Sequence, residues 1–178
     1  GGVAPLAALL TPEEEVEIKR HATLILALFA QTPINHHTII EAAGFAPFLA
    51  LLGRDEDLET KRHAVAALLN LVVNNPANQH ALIEARGVTP LVALLTPEEE
   101  LETKRYAVGG LTVLGQDTVN QDAIIEAVVP LLALLDQDDD LATKQYVLTA
   151  LGNLARTFKN RAIINQANGI PILFSFLM

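Results

Sequence analysis

Pro90-Leu-Val-Ala-Leu-Leu95 is one of five versions of a single phrase; the others are Pro5-Leu-Ala-Ala-Leu-Leu10, Pro47-Phe-Leu-Ala-Leu-Leu52, Pro130-Leu-Leu-Ala-Leu-Leu135 and Pro171-Ile-Leu-Phe-Ser-Phe176. Their prolines recur every 40–43 residues. A fixed period of that length marks a stacked repeat protein, in which one unit cannot bury its apolar face alone and does so against its neighbours. The period therefore predicts a single solenoid over 1–178, in approximate units 1–32, 33–75, 76–117, 118–157 and a partial 158–178.

Composition narrows the class. The chain is 51% hydrophobic but only 4% aromatic, so its core is expected from Leu, Ile, Val and Ala at helical spacing. No apolar run approaches the roughly 18 residues that would span a bilayer. The absence of cysteine removes disulfides and thiolate chemistry and fits an intracellular protein, cytoplasmic or nuclear. A net charge of −9 argues against nucleic acid, whose phosphates call for Lys and Arg, and suits a basic protein or peptide.

One repeat reads as three helices. Asn75 suits an N-cap and Pro76 the first helical position of a short helix that stops near Gly87, a left-handed C-cap. Pro90 opens a second short helix. Thr96-Pro97-Glu98-Glu99 has the capping-box arrangement and predicts a long third helix from Pro97 to Leu114, with Leu101, Val108, Leu111 and Leu114 on its buried face. Thr11-Pro12-Glu13-Glu14 repeats the box, and Asp136-Gln-Asp-Asp139 is a looser form. The junction Ala127-Val128-Val129-Pro130 lacks the glycine found at Gly2, Gly44, Gly87 and Gly169, so a tighter or slightly rotated stack is expected there.

These phrases, above all Ile83-Glu-Ala-Arg-Gly87-Val-Thr-Pro90-Leu-Val-Ala-Leu-Leu95 and Lys61-Arg-His-Ala-Val-Ala-Ala-Leu-Leu-Asn70-Leu71, resemble the armadillo repeat over essentially the whole chain. The separate short helix before each junction favours it over the two-helix HEAT repeat. The resemblance implies an all-α, right-handed superhelical solenoid whose third helices line a concave groove. In arrays of the importin alpha and beta-catenin type, that groove binds an extended peptide. In the importin type a third-helix Asn holds peptide backbone and a Trp one turn earlier sandwiches lysine stems. Here the Asn position holds Leu28, Asn70, Val113 and Asn153, and the Trp position Leu24, Ala66, Gly109 and Thr149. With no tryptophan in the chain, nuclear-import-type recognition is not expected.

Stepping along the third helices by three and four residues places His21, His63, Tyr106 and Tyr146 in one row, beside acids that include Glu59 and Glu102. The functional expectation is a scaffold for an extended and basic segment. Asn70 and Asn153 would pair its backbone, and Ala66, Gly109 and Thr149 would leave shallow pockets. The structural alternative stays open: acids in a first turn complement the helix dipole, and Glu17–Arg20, Glu59–Arg62 and Glu102–Arg105 have the spacing of surface pairs. The asparagines can equally bond a neighbouring third helix, and the His/Tyr row can pack between repeats.

Motifs for chemistry are not found. His36-His37 points its rings about 100° apart on a helix, unlike i,i+4 ligands, and Asp138-Asp139-Asp140 lacks calcium-loop spacing. Neither a phosphate loop nor a nucleophile elbow is present, so no catalytic residue, metal or cofactor is expected. Both ends look cut, exposing apolar surface. Excision from a longer array, a missing partner, or a structural unit that self-assembles through those ends would each explain this. The likeness of copies two and three also admits an engineered scaffold.

Overall fold

Among the described residues, the period of 40–43 residues folds into helices and the turns that join them. The computed structural model describes residues 2–137 and 140–175. Their order is α1 (Val3–Ala7), α2 (Val16–Ala30), α3 (His36–Ala43), α4 (Ala46–Ala50), α5 (Leu58–Val72), α6 (Pro76–Glu84), α7 (Val88–Ala93), α8 (Leu101–Leu114), α9 (Val128–Gln137), α10 (Leu141–Leu154), α11 (Phe158–Gln166) and α12 (Gly169–Ser175). The long third helices are α2, α5, α8 and α10. Among the described residues no helix is long and apolar enough to cross a membrane.

The chain divides into two compact units, Gly1–Pro90 and Leu91–Met178. In the first, α2 lies along α5, with α1 against α2 and α3. Leu26, Ile39, Phe48, Leu68 and Leu71 are at most 1% exposed. Ala27, Ala30, Ala64 and Ala67 are also buried, small residues that let paired helix backbones approach closely. In the second unit α8 lies along α10, α9 packs on α10, and α11 and α12 pack on α9. Val108, Leu111, Leu114, Leu131, Val147 and Leu151 form its interior.

The short-helix start is as the sequence predicts: the Asn75 side chain accepts from the Asn78 N–H, and Pro76 is the first residue of α6. The third-helix start is not. Thr96–Glu99 forms a turn, with the Glu99 N–H on the Thr96 carbonyl at 3.3 Å, and α8 begins at Leu101. Leu101 is consequently 37% exposed, whereas Val108, Leu111 and Leu114 are buried. The residues that cap third helices come later: Asp57 accepts from the Thr60 N–H at 2.9 Å and Asp140 from the Thr143 N–H at 2.7 Å. Glu15 and Glu100 hold the same position without a side-chain cap. Asp139, of the looser box, lies outside the described residues.

Gly87 also differs from expectation. Arg86, not Gly87, takes the left-handed conformation, with φ of 58°, and the Gly87 N–H returns to the Leu82 carbonyl. Glycine is needed because a Cβ there would run into the Leu82 side chain. Where the junction glycine is missing, a 3-10 turn at Ile125–Ala127 runs directly into α9, which at ten residues is longer than α1, α4 and α7.

One bond recurs in every repeat. His36 Nε2 donates to the Ala30 carbonyl (2.8 Å), Gln79 to Val72 (3.1 Å), Gln121 to Gly115 (3.3 Å) and Arg161 to Ala155 (2.9 Å). Each satisfies a carbonyl at the end of a third helix that the helix itself leaves open. His36 thus has a structural bond, which its sequence neighbourhood does not reveal.

Candidate functional site

The third helices carry the candidate residues, and none of them is buried. In the first unit, His21 and Leu28 are exposed, and Leu24, His63, Ala66 and Asn70 are partly so. In the second, Tyr146 and Thr149 are exposed, and Tyr106, Gly109, Val113 and Asn153 are partly so. Stepping by three and four residues therefore keeps solvent-facing surface at every one of these positions. Glu59 and Glu102 are exposed in the first turns of α5 and α8.

Both asparagines are tied to the preceding third helix. Asn70 Nδ2 donates to the Ala27 carbonyl at 3.4 Å, and Asn153 Nδ2 to the Thr112 carbonyl at 3.2 Å. An amide has two N–H donors and an acceptor oxygen, so one such bond orients the group and leaves capacity for a ligand. His21 is fixed similarly, its Nδ1–H donating to the Glu17 carbonyl at 2.7 Å. Burial, and then the neighbouring Arg62, push the His63 imidazole pKa down, which favours the neutral ring.

Arginines near the helix starts bridge paired third helices. Arg20 donates through Nε and Nη2 to the two oxygens of Asp57 at 3.0 and 2.9 Å, and Lys19 reaches Glu56 at 2.9 Å. Arg105 holds Asp140 in the same two-pronged way, at 3.2 and 2.7 Å. Burial alone would raise the Asp57 pKa, but the bonds from Arg20 and Thr60 outweigh it and hold the carboxyl at about 2. Bonds from Arg105 and Thr143 hold Asp140 well below the usual carboxylate range. Glu59 lies 3.5 Å from Arg62, the expected i,i+3 pair, and also 3.3 Å from Arg20. Sequence reasoning saw these arginines only as local partners. The signal it could have used is the repeated Lys19-Arg20, Lys61-Arg62 and Lys104-Arg105 set against Asp57 and Asp140.

A cavity of about 210 Å³ opens in the first unit at the C-terminal ends of α2 and α5, lined by Gln31, His36, Asn70, Val73, Asn74 and Asn75. Side-chain amides of Gln31, Asn70, Asn74 and Asn75 share its walls with apolar Ala30, Pro33 and Val73, and two helix C-termini favour positive charge. Gln31, Asn70 and Val73 of this group lie on the faces stepped by three and four residues from His21 and His63. Among the described residues no group of three or more His, Cys, Asp or Glu is arranged to hold a metal ion.

The armadillo/beta-catenin-like repeat family matches residues 75–114 and 117–156. Solved structures match the whole chain. An engineered protein from a structural genomics consortium is 28% identical with a TM-score of 0.89, covering 100% of this chain and 72% of its own. A computationally designed armadillo repeat protein for modular peptide recognition is 27% identical with a TM-score of 0.90, covering 98% and 74%. A designed armadillo repeat protein in complex with the peptide (KR)4 is 28% identical with a TM-score of 0.87, again covering 98% and 74%. No curated protein matches the sequence.

Proposed function

For a chain built of armadillo repeats, we propose a non-enzymatic scaffold whose third-helix faces bind an extended, basic peptide. The observation that carries this reading is the recurrence, in both units, of a partly exposed asparagine held by the preceding third helix: Asn70 on the helix face it shares with His63, and Asn153 on the face it shares with Thr149 and Tyr146. Each asparagine would bond peptide backbone through its remaining N–H and its oxygen. His and Tyr rings would supply contact area. The cavity beside Asn70, with amides and apolar carbon in its walls, would take the stem and head of a Lys or Arg side chain, and the exposed Glu59 and Glu102 would steer the peptide more than they hold it. Support also comes from the designed relative that carries (KR)4.

Titration of a labelled, alternating Lys/Arg peptide at low and near-physiological salt tests this. The Asn70→Ala, Asn153→Ala double variant is expected to bind about tenfold more weakly, the loss of one or two hydrogen bonds to a desolvated backbone. Unchanged affinity in that variant, or binding abolished by salt alone, would overturn the assignment.

A second reading, self-association through apolar surface, rests on α2, where Ile18, Ile25 and Phe29 are 41%, 37% and 41% exposed along one stripe. Sedimentation as a monomer at all concentrations would remove it.

A further inference from the structure

Val73 and Arg156 hold the same place in their units, three residues beyond Asn70 and Asn153. Counting likewise from Leu28 and Val113 pairs Gln31 with Gln116 and His36 with Gln121. In the second unit Arg156 Nη1 donates to the Gln116 carbonyl at 2.8 Å. In the first, the Val73 side chain has nothing to donate. Asn35 bonds the Phe29 carbonyl and His36 the Ala30 carbonyl, but among the described residues nothing donates to the next one, that of Gln31. The cavity of about 210 Å³ stands beside it. Chain length differs too. Asn74, at φ 54°, adds one residue between Val73 and the capping Asn75, whereas Thr157 caps directly after Arg156.

The same carbonyl meets a guanidinium a second time, where Arg161 Nη1 donates to the Arg156 carbonyl at 3.2 Å. Two of the four third helices therefore end against an arginine of the chain itself. The physical reason is general: the last carbonyls of a helix lack intrahelical donors and favour a cation. A planar guanidinium can meet such a carbonyl and a neighbouring amide oxygen together, where a compact ammonium is a point charge. Around Gln31 the amides of Asn70 and Asn74 offer those oxygens, and Ala30, Pro33 and Val73 offer carbon to an arginine stem.

We propose that the cavity at the ends of α2 and α5 is an arginine site whose guanidinium bonds the Gln31 carbonyl, and that Arg156 closes its counterpart in the second unit by holding the Gln116 carbonyl in cis. The chain then reads one arginine where its two asparagines alone suggest two. This rests on the reading of the third-helix faces as a site for a basic peptide, and it names the side chain read and the residue that limits the reading.

The test is titration of the full, ¹⁵N-labelled 178-residue chain with Nα-acetyl-arginine amide, followed by amide NMR. In the parent, saturable shifts are expected at the Thr32 N–H, which follows the Gln31 carbonyl, and at the Asn70 side-chain amide. The Asp117 N–H and the Asn153 amide should not respond. Arg156→Val should make both respond as well; Arg156 is exposed, so circular dichroism should be unchanged. Nα-acetyl-lysine amide should bind the parent site about threefold more weakly. No saturable shift at Thr32 and Asn70, equal affinity for the lysine probe, or an Arg156→Val variant still silent at Asp117 and Asn153 overturns the proposal. The probe has no extended backbone to hold. If it binds as described while the alternating Lys/Arg peptide ignores Asn70 and Asn153, the peptide reading falls and the arginine site stands.

Discussion

In the first unit α5 is joined to α2 by charge near the helix starts, through Lys19–Glu56 and Arg20–Asp57, and by a long Asn70–Ala27 bond of 3.4 Å nearer their ends. The second unit repeats the arginine bridge as Arg105–Asp140 but builds its other end from buried amides. Gln121, 1% exposed, bonds Gly115 and Asn153, and accepts from Asn160, which is fully buried with its own Oδ1 unpartnered. A part-exposed ion pair such as Arg20–Asp57 contributes about 0–1 kcal/mol, whereas orphaning a buried polar group costs about 1–3 kcal/mol. The two units thus share a lock that orients neighbouring third helices, and differ at the end where mistakes are expensive.

Replacing the glutamines sharpens that contrast. Gln121→Leu removes the partner of the Asn160 amide and a donor to two carbonyls, and is expected to destabilise by about 1–3 kcal/mol. Gln79→Leu, at the same repeat position in the first unit, frees only the Val72 carbonyl, which the Asn75 N–H still bonds at 3.2 Å. It should cost about 0.5–1.5 kcal/mol. Urea unfolding of both variants measures the difference, and equal losses would break the comparison.

Acid tests the shared lock. The Asp57 carboxyl sits at about 2 in the folded chain, below its ordinary 3.8, so its contribution is present above the unfolded value and lost as pH falls through the folded one. Discounted for partial solvent screening, it contributes on the order of 1–2 kcal/mol. Stability of the parent chain should therefore drop between pH 4 and 2. Asp57→Asn should lower stability at pH 7 and flatten that part of the profile, because the neutral amide keeps the cap but loses the charge. A profile as steep as the parent's would assign the acid loss elsewhere, with Asp140 the next carboxylate to test.

The period alone made the fold legible, because a phrase repeated every 40–43 residues can bury its leucines in few ways. The third-helix start was misread because Thr-Pro-Glu-Glu satisfies a local capping rule. Asp57 and Asp140, which do cap, are each gripped by an arginine 37 or 35 residues away, and no local phrase carries that contact. The candidate faces were legible as positions, since helical spacing fixes which residues share a side. The ties of Asn70 to Ala27 and Asn153 to Thr112 were not, because they depend on how one third helix slides along the next. Arg20 and Arg105 were legible as neighbours of Glu17 and Glu102, whose charges they feel, but their two-pronged grip on Asp57 and Asp140 was hidden for the same reason.

The smallest expected effect separates covered from open helix faces within the second unit. Gly115 closes α8 at φ −74°, a conformation any residue adopts, so backbone freedom does not explain the glycine. Its Cβ would stand 3.2 Å from the tip of Ile124, itself fully buried and with little room to retreat. Gly115→Ala should therefore destabilise, by about 1 kcal/mol, overpacking outweighing any gain in chain stiffness. Gly152 lies inside α10, and among the described residues no atom comes within 4 Å of where its Cβ would stand, so Gly152→Ala gains helix propensity without a clash. It should stabilise by about 0.5–1 kcal/mol. Opposite signs in paired thermal melts would show that the α8 face at Gly115 is packed while the α10 face at Gly152 has room. Two destabilising results would place an unrecognised contact over Gly152.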